Sequence, residues 1–259
     1  IHADETTVQV LKEPNREAKK KSRMWLFCSA RCNVPVYVFE YHETRRKGVA
    51  QEFLAGWSGT LTANGYKPYF NLGNPNIANT ACLVHVRRYF AQIVKIAGGD
   101  AKAASAASVA LEARRRIDAM FKVDSKFDDM EPGGRKAARD AELRPLMEDF
   151  GGWARAQLPL ASPKLAPHRA LQYAVEFWPY VMNVLEDGAP GALEQRRRAG
   201  PANLRRRAQE LALQRCATRR AGVCGDIQRH HHGQGQRAQS QALRRVAADR
   251  DAQRRRAHR

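Results

Sequence analysis

The chain starts with a run that alternates poorly but is rich in β-branched residues. In "IHADETTVQVL", Thr6, Thr7, Val8, Val10 and Leu11 predict a strand that is at least half buried. Asp4 and Glu5 stand side by side at its start, and buried carboxylates are costly unless they are paired, hydrogen-bonded or bound to a cation. Asp4 therefore either lies just outside the strand at a solvated edge or has such a partner. "KEPNREAKKKSR" reads as a polar turn region. "MWLFCS" and "VPVYVFEYH" read as two further strands, separated by a turn at Asn33 and Pro35. "GVAQEFLAGW" predicts a short helix, and "SGTLTANGY" a fourth strand running into a turn at Asn64-Gly65. "TACLVHVRRYFAQIVKIAGG" predicts a fifth short strand that passes into a helix ended by Gly98-Gly99.

From 101 to 188 the period becomes helical. Val109, Ala113, Ile117, Met120 and Phe121 form one apolar stripe. Leu171, Ala174, Val175, Trp178, Val181, Met182 and Leu185 form another, with a kink expected at Pro179. "MEPGGR" and "LASPKLAP" break the helices. Strands mixed with helices predict a layered α/β core over residues 1–100, followed by a helical insertion subdomain over 101–188.

Composition divides the chain again. All 20 aromatic residues precede Gly188. Residues 189–259 carry 18 Arg, no Lys and 5 acids, so they hold most of the net charge of +19. Only eight Leu, Ile and Val occur among those 71 residues, too few to offset the ordering entropy, so a disordered or irregularly helical basic tail is expected. The charge points to a polyanionic partner, with nucleic acid as the first candidate. Lys19, Lys20, Lys21, Arg87 and Arg88 are candidate phosphate contacts, with a solvated loop and a helix face as the alternatives. Five cysteines without regular spacing argue for a reducing, cytoplasmic setting, and Cys28-x3-Cys32 reads as two free thiols. No apolar run approaches the about 18 residues of a membrane span. Beginning with Ile, the chain is expected to be a fragment.

A strand–meander–helix–strand order with an acid on the first strand is what an RNase H-like nuclease core needs. The residues go further. "HADETTVQVLKEP", "GWSGTLTANGY", "CLVHVRRYF" and "ALQYAVEFWPYVMNVLEDG" resemble, in this order, segments of the insertion-sequence-66 family of bacterial transposases. The resemblance covers residues 1–188. It implies an RNase H-like mixed sheet and an Asp, Asp, Glu site that uses Mg²⁺ or Mn²⁺ to cut and join transposon DNA, in assemblies that can include several copies. By resemblance Asp4 is the first catalytic acid and a metal ligand, with Glu5 an accessory or surface acid. The second acid belongs in a "TDGY"-like turn, where this chain has "ANGY" and therefore Asn64. A neutral amide oxygen loses the charge that offsets a divalent cation. Cys82-x-x-His85 falls on a Cys-x-x-His pair of the family, either half of a zinc site or local packing.

The family would continue past "LEDG" to Asn-Asn-x-x-Glu-Arg, whose Glu is the third ligand. Here the chain reads "APGALEQRRRAG". Written as codons and moved forward one base, Glu194–Gly200 can encode that motif. The same shift makes "HHHGQGQ" at His230–Gln236 compatible with Ile-Ile-Thr-Ala-Lys-Ala-Asn, which resembles the family's next helix. A frameshift near Gly188 is thus expected, making His230, His231 and His232 accidents of codon content. The expectation is a truncated, inactive transposase catalytic domain. The alternative is a basic DNA-binding module without chemistry.

Overall fold

The computed structural model describes residues 1–10, 16–17, 19–29, 36–96, 101–186 and 188. The expected turn at Asn33 and Pro35, the helix stop at Gly98-Gly99 and the tail of 189–259 lie outside the described residues. The strands are β1 (His2–Gln9), β2 (Lys21–Cys28), β3 (Tyr37–His42), β4 (Gly59–Ala63) and β5 (Ile77–Ala81), with the short helix α1 (Lys47–Phe53) between β3 and β4. They form a five-stranded sheet in the order β3-β2-β1-β4-β5, which makes β1 the central strand of an α/β fold. β1 and β3 both run antiparallel to β2.

Register explains which residues are buried together, because residues opposite one another on neighbouring strands share a face. Ala3, Phe27 and Val38 stand in one row, all fully buried. Phe27 stacks on Phe53 of α1 with ring centroids 3.7 Å apart. The next row on that face sets Glu5 beside the fully buried Trp25. The opposite face carries Val8 and Met24, packed against the partly buried Phe39 and Tyr41. Two boundaries differ from expectation. β2 begins at Lys21, so that lysine is a strand residue rather than part of the polar turn, and β5 begins at Ile77, three residues before "TACL".

The described residues separate into two compact units, one of residues 1–61 and 66–78, the other of 62–65 and 79 onwards. In the second unit α2 (Leu83–Ile96) buries Leu83, Val86, Phe90 and Ile93, an i, i+3, i+7, i+10 row. α3 (Ala101–Asp124) packs against it. Its inner row is Ala110, Ala113, Ile117 and Met120, so Val109 and Phe121 of the expected stripe are only half buried. The small side chains at 110 and 113 suit the row that faces a neighbouring helix. α4 (Pro132–Ala138) continues through a π-helical turn (Arg139–Leu143) into α5 (Arg144–Gln157), and α6 (Ala166–Met182) runs on through Pro179. Pro179 lies on the exposed side of α6, where water can satisfy the carbonyl that proline leaves without a donor.

Two buried arginines hold this unit together. Arg139, 1 % exposed, donates from Nε to Asp124 Oδ1 at 2.7 Å and from a terminal nitrogen to Oδ2 at 3.3 Å. Arg135 donates to the backbone carbonyls of Phe127 (2.8 Å), Asp128 (3.1 Å), Met130 and Gly188 (2.8 Å). Gly188 is packed so closely that a Cβ would collide with the Pro132 carbonyl group. Among the described residues, no helix is long and apolar enough to cross a membrane.

Candidate functional site

Asp4 lies inside β1, opposite Leu26 of β2, and is half buried. It is therefore a strand residue, not a residue just outside at a solvated edge. One carboxylate oxygen accepts the backbone N–H of Glu5 at 2.9 Å. Glu5 points to the other face and is no surface acid: its side chain is 2 % exposed. Two neighbours make that burial tolerable. Tyr69, fully buried, donates its hydroxyl to Oε2 at 2.9 Å, and the Arg45 guanidinium bonds Oε1. Burial raises the Glu5 carboxyl above its ordinary value, opposed by the Arg45 charge and assisted by that of Asp4. Burial and the Glu5 charge likewise push the Tyr69 phenol well up.

Arg45 is itself held in place. Its guanidinium lies over the Tyr66 ring, 3.7 Å from the centroid, and the Tyr66 hydroxyl donates to the Arg45 carbonyl at 2.6 Å. Tyr66, Tyr69 and Trp25 meet edge to face at 5.7–6.1 Å. Arg45, Tyr66 and Tyr69 were not legible as a site in the sequence, because nothing in their spacing ties them to Glu5.

Asn64 belongs to the second unit. It and Gly65 form a bend after β4, and Gly65 keeps an ordinary backbone angle rather than a left-handed one. Its requirement is space. A Cβ there would sit 2.5 Å from the Tyr173 hydroxyl oxygen and 2.6 Å from its Cζ. The Gly65 backbone hydrogen-bonds Tyr173, whose phenol is raised by burial first, then by the neighbouring Tyr89 and Cys82, and lowered by Gly65 and Arg88. Tyr173 also packs on Tyr89 at 4.5 Å. The bend that carries Asn64 is thus tied to the start of α2 and to α6.

Cys82 and His85 open α2. The Cys82 N–H donates to the Ala63 carbonyl at 2.9 Å, and the His85 N–H to the Cys82 carbonyl at 3.0 Å. Both are buried. Arg87 makes a two-pronged ion pair with Asp118 of α3, at 2.5 and 3.1 Å, which raises its own affinity for the proton. Arg88 is half buried, Lys20 and Lys21 are exposed, and the exposed Lys19 pairs with Glu17 at 3.3 Å.

Taken one by one, the described residues expected as ligands are poor donors for divalent cations. Asp4 offers a carboxylate, but both oxygens of Glu5 are engaged, and Asn64 offers only a neutral amide oxygen. Among the described residues, no three His, Cys, Asp or Glu side chains come together as a metal site.

An α/β sheet with an acid on its central strand does not by itself fix a function. Residues 1–190 match the Transposase IS66 family, and the chain belongs to that family. Three curated relatives, all from Sinorhizobium fredii (strain NBRC 101917 / NGR234), are similar. Uncharacterized protein y4hP is 25 % identical over 205 residues, y4jD 24 % over 200 and y4qI 26 % over 209. Each match covers 73 % of this chain but only 36–37 % of the relative, so the chain spans just over a third of their length. No solved structure matches.

Proposed function

We propose that this chain is part of an RNase H-like transposase catalytic core that binds DNA and does not cut it. Asp4 is the first acid of the Asp, Asp, Glu set, and the second position is occupied by Asn64. The observation that carries the reading is the location of Asp4 within the central strand of a family member, combined with a neutral residue at the second position. A two-metal phosphodiester reaction needs negative charge on both cations to hold them close together. With one acid present, one replaced and the third expected out of frame, the chain lacks that charge. Partnership with DNA is supported by family membership and by the net charge of +19.

The test is strand cleavage of transposon-end DNA with Mg²⁺ or Mn²⁺. The expected result is none by this chain. Cleavage that disappears on Asp4→Ala would overturn the reading. The 18 arginines after residue 188 favour a specific form of the binding function, contact through charge alone. It predicts salt-sensitive affinity that is equal with and without Mg²⁺ and is mostly lost when residues 189–259 are deleted.

A further inference from the structure

The Arg45 side chain is held more firmly than an ion pair with Glu5 requires. One terminal nitrogen bonds Glu5, and Tyr69 already satisfies the other carboxylate oxygen. The Tyr66 ring lies against the face of the guanidinium, and the Tyr66 hydroxyl fixes the backbone of the same residue. Arginine has five N–H donors in a planar fork. Glu5 uses only one edge, and Nε and the second terminal nitrogen have no partner among the described residues. The Arg45 side chain is 38 % exposed, so those donors can be reached from solvent.

A guanidinium with two edges, one locked to a buried carboxylate and one open, is preorganised to take a second planar or tetrahedral anion. Little side-chain entropy is left to lose on binding. Two further cations are near in the chain: Arg46, 59 % exposed and paired with Glu52 at 3.3 Å, and Lys67, exposed on the segment that carries Tyr66 and Tyr69. Glu5 follows Asp4 directly in β1, and the charge of Asp4 is felt at both Glu5 and Tyr69.

We infer that Arg45, clamped by Glu5 and Tyr66, is a phosphate-binding residue for the DNA backbone beside the Asp4 strand. The inference rests on DNA being the partner but not on any cleavage chemistry. Glu5 and Tyr66 are positioning residues in this arrangement. They fix the guanidinium, and Arg45 makes the contact.

The test uses the full chain and a duplex oligonucleotide in EDTA, with affinity measured by fluorescence anisotropy over a series of salt concentrations. Arg45→Ala is expected to weaken binding about tenfold, as for loss of a hydrogen bond to a charged group. It should also reduce the slope of log K against log salt by about 0.9, the value for one phosphate contact. The tail adds the same slope to both proteins, so the difference isolates Arg45. Arg45→Lys keeps the charge and the slope but lowers affinity, because an ammonium cannot hold Glu5 and phosphate through one planar fork. A merely structural Arg45 would lower the melting temperature and leave the slope alone.

If Arg45→Ala does not fold, modification of wild-type arginines by phenylglyoxal decides, read peptide by peptide by mass spectrometry. DNA should slow the reaction at Arg45. Unchanged affinity and slope in Arg45→Ala, or equal labelling with and without DNA, overturns the inference. Absence of DNA binding by the wild-type chain overturns it together with the proposed function, whereas strand cleavage overturns the proposed function only.

Discussion

Replacing Gly65 by alanine puts a methyl group where the Tyr173 ring lies. The new Cβ would be 2.5 Å from the phenolic oxygen and 2.6 Å from Cζ, far inside van der Waals contact. The ring cannot yield without loss. It packs on Tyr89 at 4.5 Å and on Phe177 at 4.8 Å, and it is hydrogen-bonded to the Gly65 backbone. Keeping the ring in place costs the about 1–3 kcal/mol typical of overpacking. Swinging it out loses a hydrogen bond of about 1 kcal/mol and part of two aromatic contacts worth about 0.5–1.5 kcal/mol each. Either route destabilises by about 2 kcal/mol. For a fold of this size that lowers the melting temperature by roughly 4–8 °C, measurable by far-UV circular dichroism. Tyr173→Ala removes the obstacle, so Gly65→Ala added to it should cost almost nothing more, a coupling between neighbours of about 2 kcal/mol. Costs that add across the double mutant, or a Gly65→Ala protein as stable as wild type, would refute the close-approach argument. The refutation would return Gly65 to the role of an ordinary turn residue.

Two further outcomes follow from the same structure. Gly151 of α5 faces Trp178, whose Nε1 donates to the Met147 carbonyl at 3.1 Å and would lie 2.5 Å from a Cβ at 151, whereas Gly152 has nothing within 4 Å. Gly151→Ala should therefore destabilise by about 2 kcal/mol, the overpacking cost net of helix propensity, and Gly152→Ala should stabilise by about 0.5–1 kcal/mol; equal urea midpoints for the two would contradict this. Glu112 is held at about 2, well below the ordinary carboxylate value, by hydrogen bonds from Arg115 and then Arg116. A depressed acid stabilises the fold above its unfolded value near 4.5 and loses that contribution as pH falls toward 2, so Glu112→Gln should flatten the acid limb of a urea-midpoint profile between pH 4.5 and 2, more visibly at low salt than at high.

Strand existence was legible because β-branched and aromatic residues cluster where β1, β2 and β3 form. Strand ends were less so: Lys21–Arg23 look like turn residues, yet they pair with β1 because the ladder is set by register and not by polarity. The helical half was legible as period, and on α3 Ala113, Ile117 and Met120 fall on the buried row as expected, while Val109 and Phe121 at its ends are only half buried. Ala110 faces inward instead of Val109 because small side chains suit a close helix contact. The place of Asp4 on the sheet was legible from the resemblance and from the strand pattern together. The environment of Glu5 was not. A carboxylate next to Asp4 gives no hint that Arg45 and Tyr69, 40 and 64 residues away, will enclose it. The buried Asp124–Arg139 pair was equally hidden, since a charged residue on a helix usually marks the wet face.

The Arg135 bonds to residues 127, 128, 130 and 188 all end on main-chain oxygens, and a carbonyl is the same on every residue type. Those four bonds are therefore indifferent to the side chains of the residues that supply them. At 188 itself, however, even one added carbon would strike the Pro132 carbonyl. A side chain at 188 would therefore disturb the very carbonyl that Arg135 holds.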